Sequence, residues 1–337
     1  MKKTILFRAD GNASSGLGHL YRLFSLVEIV RGKYDFIFVT KENSTLSVFP
    51  KTIPAFLIPN SISIEEEVSW LKENFSTTNC IIIADGYQFT SSYQSMAKEE
   101  GFSIVYIDDL AKTHMFADVV VNHSPGLTSK NYKKQDKTKL ALGTDYALLR
   151  PTFLQLAECS RNISQIDTVF ICFGGADPYN LTAKALNACL NVEKIKAIHV
   201  VLGGAYEHSD IYTSIKDSKK EVYVHKNLSE VEMAKVMLSS NVAIVPSSTI
   251  LYELCCARMP ILSGYFIDNQ EQIYNGFLKE KAIFGLGNIK DFSTGDFKNA
   301  LTLIINETSF EDQLIAQSKL FDSKIEGRYL QLIEDLC

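Results

Sequence analysis

No stretch of this chain approaches the roughly 20 consecutive apolar residues that a membrane-spanning helix requires. The opening Met1-Lys2-Lys3-Thr4-Ile5-Leu6-Phe7 imitates a signal peptide, but its apolar run stops at Arg8 and Asp10, too early for the hydrophobic region of such a leader. Dense Lys/Arg clusters are also missing and the formal net charge is -5, which argues against nucleic acid as a partner. The one basic run, Lys130 to Lys139, reads as a solvated loop or helix face. The seven cysteines are odd in number and form no C-x-x-C. Cys80, Cys172, Cys189, Cys255 and Cys256 fall inside apolar segments, so buried free thiols in a cytoplasmic protein are expected.

Several catalytic signatures are absent too. The histidines are dispersed, with no H-x-x-x-H or H-x-x-E-H, and no metal site is expected. There is no G-x-S-x-G, so a Ser-His-Asp hydrolase is poorly supported. Gly16 and Gly18 do not complete G-x-G-x-x-G, and Thr40-Lys41 stands where an acidic ribose ligand would end the second strand. No dinucleotide or other cofactor is expected.

What is present is enough chain for two domains, 337 residues with 46% hydrophobic and 22% charged, each half able to bury its own core. Short apolar runs alternate with helical stretches. The expected strands are Thr4–Arg8, Asp35–Thr40, Cys80–Ala84, Ser103–Ile107 and Val119–Asn122, then Thr168–Phe173, Ala197–Leu202, Val222–His225, Val242–Pro246 and Pro260–Tyr265. Runs such as Ile81-Ile82-Ile83 suit strands buried on both faces of a parallel sheet. Leu20, Leu23, Phe24, Val27 and Val30 fall on one face of a helix opening after Gly18. The pattern implies α/β architecture in two doubly wound Rossmann-like domains facing a cleft, residues 1–158 and 166–337, with a polar linker at about 159–165. Residues 310–336 are helical in pattern and could fold back on either domain.

Open α/β sheets bind ligands beyond the carboxyl ends of their strands, so those positions are the candidates. The first is Arg8-Ala9-Asp10-Gly11-Asn12-Ala13-Ser14-Ser15-Gly16-Leu17-Gly18-His19, small residues leading into a helix. Its backbone N–H groups can approach a ligand, and a positive helix end favours the neutral imidazole that a general base needs at His19. Asp85-Gly86-Tyr87 and Asp108-Asp109 place carboxylates at strand ends, as acids, bases or sugar-hydroxyl acceptors, or equally as helix caps and turn formers. In the second half, Gly174-Gly175 suits a diphosphate close to the backbone. Ser247-Ser248-Thr249 offers donors at a helix start, and Glu253 could accept two ribose hydroxyls. Asn269 and Gln270 could read sugar hydroxyls.

Taken in order, Phe7-Arg8-Ala9-Asp10, Gly16-Leu17-Gly18-His19-Leu20-Tyr21-Arg22, Asp85-Gly86-Tyr87, Ile107-Asp108-Asp109, Val121-Asn122 and Tyr146-Ala147-Leu148-Leu149-Arg150 resemble the hydrolases of the pseudaminic-acid pathway that act on a UDP-2,4-diacetamido-2,4,6-trideoxy sugar. Gly174-Gly175-Ala176-Asp177, the Ser247-Ser248 to Glu253 helix start and Asn269-Gln270 continue the likeness. The resemblance implies the two-Rossmann-domain fold of GT-B-like glycosyltransferases and metal-independent release of UDP and free sugar. It further implies His19 as the base activating water, with Tyr87 beside it. Arg8, Asp10, Gly16, Gly18, Arg22, Asp85, Asp109, Asn122, Asn269 and Gln270 would then serve the sugar side, and Gly174, Gly175, Ser247, Ser248, Thr249 and Glu253 would hold UDP. A glycosyltransferase passing the sugar to an acceptor, and a non-catalytic nucleotide-sugar binder, remain the rival readings. The partner is a UDP-sugar in each case, and nothing in the sequence fixes the oligomeric state.

Overall fold

Every residue of Cys80–Asp85 and Val119–Asn122 is buried, which is why these runs show no polar alternation: each lies within a parallel sheet. The computed structural model describes residues 3–12, 16–216, 218–307, 310–322 and 324–337. In chain order, β1 (Thr4–Arg8), α1 (Gly18–Val30), β2 (Phe36–Lys41), β3 (Ala55–Ile58), α2 (Ile64–Asn74) and β4 (Cys80–Asp85) are followed by α3 (Ser91–Glu99), β5 (Ser103–Ile107), β6 (His114–Met115), β7 (Val119–Asn122), β8 (Lys133–Lys134) and β9 (Lys139–Leu142). Then come α4 (Pro151–Leu156), β10 (Thr168–Ile171), α5 (Leu181–Leu190), β11 (Ala197–Leu202), α6 (Asp210–Lys216), β12 (Glu221–Lys226) and α7 (Glu230–Ser239). The chain ends through β13 (Val242–Pro246), α8 (Thr249–Cys256), β14 (Ile261–Tyr265), α9 (Asp268–Lys279), β15 (Phe284–Asn288), α10 (Thr294–Ile305), α11 (Glu311–Leu320) and α12 (Ile325–Glu334).

Two compact units result: Met1–Leu149 with Lys324–Cys337, and Arg150–Ser323. The sheet of the first unit runs β3-β2-β1-β4-β5-β7-β9, all parallel, and its strand order reverses between β1 and β4. Leu20, Leu23, Phe24, Val27 and Val30 of α1 are all buried, as their 3.6-residue spacing requires. On another side Leu6, Ile82, Ile104 and Val120 pack with Val68, Leu71, Tyr93 and Ala97 of α2 and α3. The second unit repeats the plan with order β12-β11-β10-β13-β14-β15, reversing between β10 and β13. Its core joins Val169, Ile171, Ile198, Val200 and Ile244 to Leu181, Leu186, Phe297 and Leu301.

The division falls at Arg150, ahead of the expected linker at 159–165. The reason is local bonding. Phe153 of α4 is buried, and the Thr152 backbone N–H donates to Glu230 within the second unit. Arg161, inside the polar stretch, donates to the carbonyls of Met237 and Leu238, satisfying the end of α7. The segment thus lies along the second unit. The C-terminal helix departs from the 166–337 boundary in the other direction: α12 packs on the first unit, where Tyr329 donates its hydroxyl to the Tyr146 carbonyl at 2.6 Å and Lys139 pairs with Asp335 at 3.0 Å.

Five strands were not anticipated. Ala55–Ile58 is half exposed at a sheet edge, Lys139–Leu142 begins at the last residue of the basic run, and Phe284–Asn288 is interrupted by glycines; each weakens the apolar signature. His114–Met115 and Lys133–Lys134, paired with each other, are two residues each and too short to leave a pattern. Among the described residues no helix is long and apolar enough to cross a membrane. The seven cysteines are free thiols, five of them buried.

Candidate functional site

In the first unit the carboxyl ends of β1 and β4 meet at the reversal of strand order, and a cluster of charged side chains gathers there. His19 enters from the first turn of α1, Asp85 ends β4, Tyr87 follows it, and Asp109 lies just beyond β5. His19 Nδ1 is 2.7 Å from Asp85 Oδ1. Arg22, one turn along α1, donates to Asp85 through Nε (2.9 Å) and Nη2 (2.6 Å), and to Asp109 through Nη1 (2.5 Å) and Nη2 (3.0 Å). The Tyr87 hydroxyl is 3.4 Å from Asp109 Oδ2, and its ring meets the His19 imidazole edge-on with centroids 5.0 Å apart. Tyr87 is 48% exposed while Asp85 is fully buried, so the cluster has an open side and a closed base.

The hydrogen-bond directions fix the imidazole. Asp85 accepts from Arg22 through both oxygens and so acts as an acceptor toward the ring as well. Nδ1 therefore carries a proton directed at Asp85, and Nε2 is the ring nitrogen that the carboxylate does not engage. Arg22 Nη2 lies 2.9 Å from the same Nδ1; a guanidinium only donates, so both groups turn to Asp85 Oδ1. The alternative tautomer would set an oxygen against a nitrogen lone pair at 2.7 Å. Burial works against the charge on Asp109, but the attraction and hydrogen bonds of Arg22 outweigh it and hold the carboxyl at about 2. Burial likewise opposes the charge of Arg22, which Asp109 and Asp85 nevertheless raise well above the usual guanidinium range. His123, just past β7, is pushed down to about 4 by burial and by Arg22. It is a neutral ring beside the charged cluster.

Of the first-unit residues singled out from sequence, His19, Arg22, Asp85, Tyr87 and Asp109 come together. Arg8 does not join them. It is 1% exposed, its fork spent on Glu67 of α2 (2.7 and 2.8 Å) and on Asp10 (2.6 and 2.8 Å). Asp10 also accepts from the Lys41 backbone N–H at 2.8 Å and from Gln88 Nε2 at 3.2 Å. These two tie the end of β1 to α2 and to the end of β2. Gly16 donates its N–H to the Asn12 carbonyl at 2.9 Å and Gly18 begins α1; Ala13, Ser14 and Ser15 lie outside the described residues. Asn122 is fully buried, donating to Asp108 at 3.2 Å and accepting from the Ser124 backbone N–H at 2.9 Å. Asp108 faces inward to Tyr132, Asn122 and the Ala111 backbone N–H, which accounts for its separation from Asp109.

The equivalent position in the second unit is built from backbone. Gly174 and Gly175 follow β10, Gly174 in the left-handed region at φ +85°, with open space where either Cβ would be. Gly203, after β11, was not read from the sequence. A Cβ there would sit 2.3 Å from the Gly174 carbonyl oxygen, so a Gly-Gly turn is pressed against the first one. Ser247 is buried and shares a hydrogen bond with Ser263 at 2.9 Å. Ser248 caps α8 without a side-chain hydrogen bond, its carbonyl accepting from the Leu251 backbone N–H at 2.9 Å, and Thr249 is the first helical residue, so the Ser248 hydroxyl takes none of the opening N–H groups of α8. Glu253, one turn in, is 4% exposed and is gripped by Arg150 Nε and Nη2, each at 2.8 Å. Burial drives its carboxyl up to about 7 against the pull of Arg150. Asn269 and Gln270 belong to α9 of this unit, and Gln270 Oε1 accepts from the Phe266 backbone N–H at 3.1 Å.

Comparison with known proteins fits this doubling. No protein-family model matches the chain. It is 25% identical over 297 residues to an uncharacterised protein of Methanocaldococcus jannaschii, covering 84% of this chain and 60% of that one, so the chain spans less than two thirds of that relative. It is 23% identical over 283 residues to the spore coat polysaccharide biosynthesis protein SpsG of Bacillus subtilis, covering 83% of this chain and 82% of that protein. Among solved structures, MurG of Acinetobacter baumannii superposes with a TM-score of 0.68 at 12% identity, over 99% of both chains. MnaA of S. aureus, solved with UDP, superposes with a TM-score of 0.65 at 12% identity, over 100% of this chain and 98% of that one. The fold is of the GT-B type. Both units are α/β with parallel sheets, and each carries a strand-order reversal of its own.

Proposed function

We propose that the protein breaks the bond between the anomeric carbon and the diphosphate of a UDP-sugar, releasing UDP, with water as the acceptor. The observation that carries this reading is the His19–Asp85 pair: a histidine whose Nδ1 proton is committed to a buried carboxylate and whose Nε2 is left as a base at an open strand-end crevice. Water attacks the anomeric carbon, Nε2 takes its proton, and the carbon–oxygen bond to the β-phosphate breaks with its electron pair leaving on UDP. Asp85, hydrogen-bonded to the ring, holds its orientation and would stabilise the imidazolium as it forms. Tyr87 flanks the ring at the exposed side. In the second unit the Gly174-Gly175 turn and the start of α8 would take the diphosphate, donating N–H groups to its developing charge.

The motifs around His19, Tyr87 and Gly174-Gly175 support a sugar of the 2,4-diacetamido-2,4,6-trideoxy class, through their resemblance to hydrolases of such substrates. A glycosyltransferase reading draws on SpsG, a polysaccharide biosynthesis protein by name, and on MurG; a hydroxyl acceptor would use the same base. The deciding experiment measures UDP release from a panel of UDP-sugars, with and without EDTA and with no added acceptor. Rapid release from a diacetamido trideoxy sugar is expected. Release only on adding an acceptor would move the assignment to a transferase, and UDP binding without turnover under either condition would leave a binding protein.

A further inference from the structure

The Arg150–Glu253 pair is a strange stability device. An ion pair taken out of water returns little net stability, and well-packed apolar side chains of similar volume commonly do as well. Its neighbours are apolar: Leu251, Tyr252, Leu254 and Cys255 of α8 are all buried, as is Phe153, whose ring lies 5.0 Å beneath the Arg150 guanidinium. The location is more telling than the energy. Glu253 stands one turn into the helix whose open start follows β13, and its charge is felt by Cys172 at the end of β10. The pair therefore sits at the reversal of strand order, beside the Gly174-Gly175 turn.

We propose that Arg150 is a positioning residue for the ribose of the bound nucleotide, holding the Glu253 carboxylate so that its two remaining acceptor positions take the 2′ and 3′ hydroxyls. This rests on the UDP-sugar reading above. A carboxylate offers about four acceptor positions, and the Arg150 fork fills two, one on each oxygen. The fork is itself fixed: Arg150 occupies the N-cap of α4, Pro151 sets the first helical residue, and the guanidinium rests on Phe153. A fixed fork orients the carboxylate plane, and its positive charge pulls the group back toward the ionised form against burial and the nearby Glu230, which still leave it raised to about 7. Lysine cannot replace it, because a single ammonium holds one point and leaves the plane free to turn.

The test is calorimetric binding of UDP and of 2′-deoxy-UDP to the full chain at several values between pH 6 and 9. The two nucleotides share the same phosphate titration, so their affinity ratio isolates the ribose contact. The wild type should prefer UDP by roughly ten-fold or more, the value of one hydrogen bond to a charged group. Arg150→Met should bring the ratio to within about two-fold at neutral pH and recover part of it toward pH 9, as Glu253 ionises without help. Arg150→Lys should fall between, and serves if the Met variant does not fold. Full preference retained in either variant would overturn the proposal, as would a wild type indifferent to the 2′ hydroxyl. A wild type that binds neither nucleotide would instead remove the UDP-sugar reading on which it rests.

Discussion

The two units solve the same topological problem with opposite materials. Each reverses strand order at its centre and leaves a crevice beyond the strand ends. In the first unit that crevice is lined by ionisable side chains, one histidine and one arginine against two carboxylates. In the second it is lined by glycine backbone, an open helix start and a single tied-down ion pair. Side chains can move protons, whereas backbone N–H groups can only donate hydrogen bonds, at fixed places. Under the proposed function, the duplicated architecture would supply two different chemical services, proton transfer from the first unit and hydrogen-bond donation from the second.

The largest expected effect tests that division directly. Under the proposed function, His19→Ala should lower turnover by about 10³–10⁴-fold, near the upper end for general base catalysis, while UDP affinity stays within a few-fold. Steady-state kinetics beside calorimetry would show it, and an equal loss in both would mean the first unit also holds the nucleotide. Asp85→Asn replaces an acceptor by an amide that can offer the ring an N–H and reverse its tautomer. A loss of roughly 10²–10³-fold in kcat with little change in KM is expected.

The third effect concerns pH and separates the units by sign. His123 is held at about 4, below its value of 6.5 in an unfolded chain. The unfolded state therefore binds the extra proton first, and this stabilisation, present above pH 6.5, is lost as pH falls toward 4, by roughly 2–3 kcal/mol. Asp109, at about 2, adds to the loss only below its ordinary 3.8. Glu253 runs the other way: raised to about 7, it contributes most below pH 4.5 and progressively less as pH climbs through 7. Urea unfolding between pH 4 and 8, with His123→Gln and Glu253→Gln, should show the acid limb flatten in the first and the neutral limb flatten in the second. If both variants flatten the same limb, the comparison fails.

The smallest effect belongs to the backbone crevice. Gly203→Ala drives a methyl group against the Gly174 carbonyl and should cost about 1–2 kcal/mol in stability through overpacking. UDP affinity should fall by roughly ten-fold as the turn shifts, while the His19 cluster is untouched. A normal UDP affinity would remove this turn from the nucleotide site.

What the sequence disclosed follows from how local each feature is. The stripe of α1 and the apolar strands are visible because burial writes a period into neighbouring residues. Asp85, Asp109, Gly174 and Gly175 are visible because strand ends in this architecture point at the crevice. What these residues bond to is tertiary and left no mark in the sequence. Arg8 ends a strand as a ligand would, but Glu67, 59 residues on, claims its guanidinium. Asn122 has the same credentials and is taken by Asp108 and Ser124. Gln270 turns back on its own backbone, and Gly203 matters only because a second turn 29 residues earlier folds against it. His123 carries no local mark at all; its burial beside Arg22 is settled by chain that lies far from it in sequence.

The last helix has a consequence for the order in which the molecule comes into being. A ribosome delivers residues 1–149 before the second unit, yet α12, whose Tyr329 holds the Tyr146 carbonyl, follows that unit, as does Leu336, whose carbonyl accepts from Lys3. The second unit can close its sheet while the first still waits for its last piece. During synthesis the unit carrying His19 is thus begun before the second unit but receives its α12 only after that unit has been made.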